Sequence, residues 1–369
     1  MDSGRSRSAR EGFAPAIRPP LLVSETPASI ARMSIRTEHG VSESVKALQI
    51  TAPGKFEIQD VPMPKPGPRE VLVKVLAVTT CPHWDMHIFG GRPMFPGMEL
   101  KYPYTLGQPG HEACGDVVEL GQDVREFKVG DRVCAWRDPG HHLRGCYAQY
   151  VVKPVEDLIS APATLPPDAC APLELAMCMS AHVMFAERLG MAAGRRVGVF
   201  GLGPAGLVCV QLLWAAGAAH ITGFDPLKPR RDLAGKLGAD TVIDPTEEAL
   251  EKLPRRGQLD AFDCTFDCVG TSAVVHQAME MTNHLVVLFA VQREPYVFEP
   301  RFWAGLTLAG AQPHTREAAE YALKRLTEGK LDLGALVTDV MRLDEYGRAV
   351  ELLERQDALK VAFLPQESR

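Results

Sequence analysis

The sequence contains no C-x-x-C pair, although it has nine cysteines. An odd number of scattered cysteines argues against a disulfide framework and is typical of a reducing compartment. Neither sign of charge is in large excess, and the net charge of −6 disfavours nucleic acid or an acidic membrane as the main partner. No uninterrupted apolar run reaches the length that crosses a bilayer, so we expect a cytoplasmic protein.

The 369 residues suffice for more than one domain. Residues 1–44 combine Arg, Ser, Ala and Pro with little apolar periodicity, which predicts a disordered N-terminal extension. Short strands punctuated by proline and glycine follow and predict a β-rich, barrel-like domain over 45–185. Alternating strands and helices then predict an α/β unit over 186–320. Residues 321–369 alternate again and are expected to return to the first domain.

An apolar strand, a glycine turn and a helix follow one another over residues 196–207, a pattern that predicts a dinucleotide-binding unit. Gly201 permits the tight turn, Gly203 lets a pyrophosphate approach the backbone, and Gly206 lets the helix pack closely on its strand. The turn also contributes Leu202, Pro204 and Ala205 to the predicted cofactor site.

The strand that follows ends on Asp225, 24 residues beyond Gly201. A carboxylate there accepts both hydroxyls of the adenosine ribose and repels a 2′-phosphate, so NAD is favoured over NADP. Two later strands end near Val269, Gly270 and Ala290. These residues are predicted to face the cofactor because strand ends do so in such sheets.

Three stretches before the glycine turn hold potential metal ligands: Cys81–His87, Gly110–Glu112 and Glu174–Cys178. A thiolate, an imidazole and a third Cys or carboxylate leave one position open on a tetrahedral zinc, as in a catalytic site. Such a zinc favours alkoxide formation and hydride release to a nicotinamide. His83 and His87 are candidate proton relays, and Asp85 or Glu112 is a candidate for orienting His111.

In their order along the chain, these motifs resemble the zinc-containing medium-chain dehydrogenases, the superfamily of alcohol, sorbitol and threonine dehydrogenases. The resemblance also includes Val129–Val133 and Tyr147–Val152, and it extends over residues 45–365. It implies an α/β fold in which a Rossmann doubly wound parallel sheet is inserted into a GroES-like β-barrel catalytic domain. It also implies a homodimer or homotetramer that acts on a small alcohol or ketone.

Family roles assign Cys81 and His111 as zinc ligands and place Glu112 and Asp85 near the metal. By the same resemblance, Asp225 binds the adenosine ribose and His87 is the outer relay residue. The Cys81 loop is one residue longer than the family pattern, so His83 would replace the usual relay hydroxyl.

Two residues compete for the role of third zinc ligand. Cys178 fits the alcohol-dehydrogenase spacing to the glycine turn, whereas Glu174 resembles the carboxylate ligand of the polyol branch. We favour Cys178 and keep Glu174 and Glu112 as alternates.

Many family members bind a second, structural zinc through four closely spaced cysteines. Here that region holds only Cys134 and Cys146, so we expect one catalytic zinc and no structural zinc. For the loop over 137–145 that takes its place we favour a solvated loop over the alternative in which His141 and His142 reach the substrate cleft. Ala290 stands where the family commonly has glycine.

The leading hypothesis is a zinc-dependent, NAD-linked dehydrogenase for a secondary alcohol or polyol, or for the matching ketone. A zinc-independent relative that reduces enones or quinones with NADPH is the first alternative, disfavoured by Asp225 and the ligand set. A non-catalytic dinucleotide-binding protein is the second.

Overall fold

The computed structural model describes residues 44–95 and 97–367. The predicted disordered extension therefore lies outside the described residues, apart from Ser44, which begins the first strand. All nine cysteines lie within the described ranges, and all are free thiols.

The first part of the described chain is rich in antiparallel strands. Strands β1 and β2 pair as a hairpin, and β3 to β5 and β7 form adjacent members of a larger mixed sheet, while β6 pairs with β3. Buried aliphatic residues on these strands form the core of this region. The strands are β1 (Ser44–Ala52), β2 (Lys55–Pro62), β3 (Glu70–Thr79), β4 (Glu112–Leu120), β5 (Arg132–Ala135), β6 (Tyr150–Pro154) and β7 (Leu158–Ser160).

Three helices accompany these strands: α1 (Pro82–Phe89), α2 (Pro167–Cys170) and α3 (Leu173–Arg188). The segment Pro167–Arg188 is long and apolar enough to cross a membrane by length and composition, but 78% of its most apolar window is buried inside the protein. Its burial is that of a core helix, and it packs on the α/β unit through residues of the same hydrophobic cluster.

The α/β unit contains six strands that pair in parallel in the order β10-β9-β8-β11-β12-β13. This is the 3-2-1-4-5-6 order of the Rossmann fold, so the predicted fold class is confirmed. The elements are β8 (Arg196–Phe200), α4 (Pro204–Ala215), β9 (His220–Phe224), α5 (Lys228–Lys236), β10 (Thr241–Ile243), α6 (Glu247–Glu251), β11 (Phe262–Asp267), α7 (Ser272–Met281), β12 (Thr282–Leu288) and β13 (Thr307–Ala309).

The C-terminal elements are α8 (Arg316–Thr327), β14 (Val337–Met341), α9 (Tyr346–Glu354) and β15 (Lys360–Phe363). Strands β14 and β15 join the mixed sheet of the N-terminal region, where β15 runs antiparallel to β3. The pair Ala362 and Thr79 lies at the end of β3. The C-terminal strand therefore packs beside the loop that contains Cys81.

Candidate active site

Sheet register brings the first two predicted zinc ligands together. Thr79 at the end of β3 pairs with Glu112 at the start of β4, so Cys81 follows one strand where His111 precedes the other. The ligand atoms of Cys81, His111 and Glu112 all lie within 4.8 Å of one another. A thiol, an imidazole and a carboxylate at this spacing are a donor set that suits zinc.

The orientation of His111 suits a metal ligand. The ring is buried, and its Nδ1 donates to the carbonyl oxygen of Pro109 at 2.8 Å. In the neutral tautomer that this contact selects, the lone pair of Nε2 is available to a cation, which would displace the proton. Burial lowers the pKa of His111, but the contact with Cys81 and the charges of Cys81, Glu174 and Asp138 outweigh it and raise that pKa well above its ordinary value.

Glu112 is held by a buried ion pair. Both of its carboxylate oxygens accept from Lys360 Nζ at 2.6 Å, and Thr79 Oγ1 donates to Oε2 at 2.8 Å. The same ammonium donates to the Thr80 carbonyl at 2.6 Å. Lys360 thus neutralises Glu112. It also ties β15 to Thr80, which follows β3, and to Glu112, the first residue of β4.

Helix α3 presents both candidates for the third donor on one face, because Glu174 and Cys178 are one helical turn apart. Glu174 Oε2 lies 3.8 Å from His111 Nε2, and Glu174 Oε1 accepts from Cys178 Sγ at 3.2 Å. Cys178 Sγ also lies 3.3 Å from His314 Nε2. Burial and the Glu174 carboxylate raise the pKa of the Cys178 thiol well above its ordinary value. The carboxylate therefore lies between His111 and the Cys178 thiol.

Asp85 is fully buried and anchors the Cys81 loop. Its carboxylate accepts from the Cys81 backbone amide and from the hydroxyls of Tyr147 and Tyr346, each at 2.8 Å. Burial raises the pKa of Asp85 to about 6, while the tyrosine hydroxyls lower it. These contacts make Asp85 an anchor of the Cys81 backbone.

The two predicted relay histidines lie on helix α1. His83 is exposed, and His87 Nδ1 lies 3.3 Å from the Arg92 carbonyl oxygen and 3.2 Å from that of Pro93. Within the described chain, neither ring joins the donor cluster around Cys81. Their relay roles remain predictions.

The loop over 137–145 differs from the expectation of a solvated loop. The side chain of His141 is only 13% exposed, its Nδ1 bonds to the Tyr104 hydroxyl at 2.8 Å, and its ring packs on Trp84 at 4.2 Å. His141 Nε2 lies 3.3 Å from Asp138 Oδ2. Both side chains place a potential metal-ligand atom within 4.8 Å of a ring nitrogen of His111. His142 is exposed as expected, as are Leu143 and Arg144 beside it.

Asp138 and Tyr104 are thus site residues that sequence reasoning did not select, whereas His141 matches the less favoured alternative. No local sequence signal marks these residues, because His141 is buried by contacts with Tyr104 and Trp84 on other segments. Burial raises the pKa of Asp138, but His141 and His111 outweigh it and hold that pKa far below its ordinary value. Asp138 therefore adds negative charge beside His111.

The glycine turn has the backbone geometry of a nucleotide site. Gly201 has φ +86°, in the left-handed region, and Gly203 is the N-cap of α4 with Pro204 as the first helical residue. A Cβ at Gly206 would lie 1.8 Å from the Gly201 carbonyl oxygen, whereas a Cβ at Gly203 would meet nothing within 4 Å. Gly206 is required for packing, and Gly203 leaves open space at a helix N-terminus that suits a phosphate.

Asp225 lies at the carboxyl end of β9, beside this turn. It is 3% exposed, and its two oxygens accept from the backbone amides of Leu202 at 2.9 Å and Leu227 at 2.8 Å. Arg230 Nη1 lies 3.7 Å from Oδ2. Because each carboxylate oxygen has two acceptor sites, Asp225 keeps capacity for the ribose hydroxyls.

The loops after β11 and β12 meet beside the turn. Buried Asp267 accepts from the backbone amides of Val269 at 2.9 Å and Gly270 at 3.0 Å, and from Gln292 Nε2 at 2.8 Å. The Ala290 amide donates to the Asp267 carbonyl at 3.0 Å. Asp267 therefore organises three predicted cofactor residues, and sequence reasoning had not selected it.

Comparison with known proteins identifies the family of the chain. The family model described as alcohol dehydrogenase GroES-like domain matches residues 67–163, and the model described as zinc-binding dehydrogenase matches residues 204–304. Together they match more than half of the chain.

Curated and solved relatives align over nearly their whole length. L-threonine 3-dehydrogenase of Pyrococcus horikoshii is 29% identical over 355 residues, which cover 88% of this chain and 99% of the relative. Sorbitol dehydrogenase of Halalkalibacterium halodurans is 28% identical and covers 90% of this chain and 98% of its own. The crystal structure of 2R,3R-butanediol dehydrogenase from Bacillus subtilis is 25% identical, has a TM-score of 0.75, and covers 88% of this chain and 100% of its own.

The order of the strands, the donor set and the two matched models lead to one family. The chain belongs to the zinc-containing medium-chain dehydrogenase superfamily, whose relatives found here are oxidoreductases of the alcohol and polyol dehydrogenase type.

Proposed function

We propose that this protein is a zinc-dependent dehydrogenase that transfers a hydride between a secondary alcohol or polyol, or its ketone, and NAD. The observation that carries the proposal is that the ligand atoms of Cys81 and His111 lie within 4.8 Å of each other, with Glu174 Oε2 3.8 Å from His111 Nε2. This cluster lies at the junction of β3 and β4, and α3 connects it to the nucleotide unit.

Helix α3 links the donor set to the cofactor side. Glu174, in its first turn, lies 3.8 Å from His111 Nε2. Two turns later, the ring of His182 packs on Phe289 at 5.0 Å, next to Ala290. Helix α3 therefore holds a potential metal ligand in its first turn and borders the predicted nicotinamide side two turns later.

The donors fit a catalytic zinc. The 3.8 Å contact with His111 supports Glu174 over Cys178 as the donor that joins Cys81 and His111. Lys360 neutralises Glu112, so that carboxylate supports the site while Cys81 and Glu174 supply the negative charge that a dication needs. Bound zinc supplies Lewis acidity, which makes a substrate hydroxyl more acidic.

The nucleotide turn fits NAD. Gly203 leaves room for a pyrophosphate at the N-terminus of α4, and the α4 dipole favours an anion there. The buried Asp225 carboxylate disfavours a 2′-phosphate by like-charge repulsion. Asp267 fixes the loops that contain Val269 and Ala290. These loops would border the nicotinamide ring, which would supply the hydride chemistry.

The test combines a zinc assay with a panel of secondary alcohols, polyols and ketones, followed by nicotinamide absorbance with NAD and NADP. We expect turnover with NAD, and Cys81→Ala loses one equivalent of zinc together with turnover. The control Cys209→Ala removes a buried thiol of α4 and keeps both.

Three results would contradict the proposal. Full turnover in zinc-free protein, or preference for NADP with enones and quinones, favours the zinc-independent alternative. Tight cofactor binding with no turnover across the panel favours a non-catalytic binding protein. The homodimer or homotetramer expected from the resemblance remains a prediction for sedimentation measurements.

A further inference from the structure

A second donor set lies on the far side of Glu174 from His111. Cys178 Sγ lies 3.2 Å from Glu174 Oε1 and 3.3 Å from His314 Nε2. The ligand atoms of all three residues lie within 4.8 Å of one another. In the proposed function Glu174, and not Cys178, completes the site that contains Cys81 and His111, so Cys178 and His314 have no role assigned there.

The chemistry and spacing of this set suit zinc. A thiolate, an imidazole and a carboxylate are the ligands that zinc prefers in proteins, with bonds of about 2.0–2.3 Å. In a tetrahedron, bonds of that length separate neighbouring ligand atoms by about 3.3–3.8 Å. The two contacts of the Cys178 sulfur are close to that separation. Three protein donors leave a fourth position open.

The two oxygens of Glu174 face different partners. Oε1 contacts Cys178, and Oε2 lies 3.8 Å from His111 Nε2. A carboxylate with one oxygen toward each donor set can bridge two ions, an arrangement that places metals about 3.5–4 Å apart in known two-metal sites. Glu174 is therefore common to both sets.

We propose that Glu174, Cys178 and His314 bind a second zinc ion, which shares the Glu174 carboxylate with the zinc held by Cys81 and His111. The proposal rests on the proposed function for the first ion and goes beyond it. Its ligand class is a borderline-soft divalent cation bound by sulfur, nitrogen and oxygen.

His182 holds the two segments of this site together. Its Nδ1 donates to the Cys178 carbonyl oxygen at 2.7 Å, and its Nε2 accepts from the Gln312 backbone amide at 3.1 Å. One neutral imidazole satisfies both contacts, because one ring nitrogen donates and the other accepts. This bridge fixes α3 against the segment that precedes α8, where His314 lies. The exposed side chain of His314 gives an ion a path from solvent.

The experiment measures zinc per chain by mass spectrometry of the full chain after saturation with zinc and removal of the excess. We expect two equivalents in the parent and one in His314→Gln, in Cys178→Ala and in Cys81→Ala. His142→Gln is the matched control, an exposed histidine outside both sets, and it keeps two. In cobalt-substituted protein, the thiolate-to-metal absorbance falls by about half in Cys178→Ala.

The other outcomes overturn either the second site or the proposed function of the first. One zinc in the parent that is unchanged in His314→Gln and Cys178→Ala overturns the second site and leaves the first intact. One zinc that is lost in both Cys81→Ala and Cys178→Ala makes Cys178 a ligand of a single ion and also overturns the proposal. Zinc content unaffected by Cys81→Ala contradicts the proposed function instead. The exposed position of His314 keeps one variant folded, and circular dichroism verifies the others.

Discussion

The buried ion pair between Lys360 and Glu112 offers the sharpest test of how this site is supported. Lys360 Nζ donates to both Glu112 oxygens at 2.6 Å, and the two side chains are 0% and 1% exposed. The pair joins β15, near the end of the chain, to the start of β4. The perturbation is Lys360→Met, which keeps the apolar stem of the side chain and removes its charge.

The expected cost follows from burial. Without Lys360 the Glu112 carboxylate loses the ammonium that lowers its pKa, while burial still raises that pKa. Breaking a buried pair by removing one partner costs about 3–5 kcal/mol, because a charge remains buried and uncompensated. Glu112→Gln alone strands the ammonium and incurs a similar cost. In the double variant neither charge of this pair remains, so its cost is well below the sum of the two single costs.

The assay is urea unfolding at constant free zinc, since bound ligand adds to apparent stability. Lys324→Met is the control, because this exposed lysine of α8 lies 3.9 Å from Glu328 and is 69% exposed. It should leave the unfolding midpoint unchanged. A Lys360→Met midpoint equal to that of the parent, or additive costs in the double variant, would refute the reasoning.

Three further predictions concern the turn, the ribose contact and pH. Gly203→Ala should keep the melting midpoint, because its Cβ meets only open space in the protein, but it should weaken NADH binding at least tenfold by titration, because that space is the proposed pyrophosphate site. Gly206→Ala should lower the melting midpoint, because its Cβ would lie 1.8 Å from the Gly201 carbonyl oxygen. Asp225→Asn should reduce the ratio of NADPH to NADH dissociation constants, and an unchanged ratio would contradict the assigned role. Because the pKa of Asp85 is raised to about 6, the folded state holds its proton above the unfolded pKa. In metal-free protein the free energy of unfolding should therefore fall by about 3 kcal/mol as pH rises from about 4 through 6. Asp85→Asn should lack this fall. If the variant and the parent show the same dependence of unfolding free energy on pH, the role assigned to Asp85 is wrong.

Much of the fold was predictable because its signals are local. The glycine turn at 201–206 needs a positive φ at Gly201 and a missing side chain at Gly206, and such backbone demands restrict residue type directly. Strands β3 and β11 are continuous apolar or alternating runs, which periodicity detects. The edge strand β13 is three residues long and was not predicted, because so short a segment shows no period.

The cluster of Cys81 and His111 was predictable for a related reason. Each residue adjoins a recognisable strand, and neighbouring strands bring such ends together. For His141 the favoured prediction was a solvated loop. The prediction failed because the burial of His141 depends on contacts with Tyr104 and Trp84, which lie on other segments. No local pattern encodes those contacts.

The sequence by itself determined the nucleotide turn, the order of the domains and the types of donor atom near the proposed metal, since these follow from local backbone limits and side-chain chemistry. Only the tertiary structure decided which of two donors on one helix face approaches His111. Glu174 and Cys178 differ by one turn of α3, so the position of that helix against the junction of β3 and β4 selects between them. That position is set by core packing over the whole of α3, a sum of distant contacts that no single stretch of sequence displays.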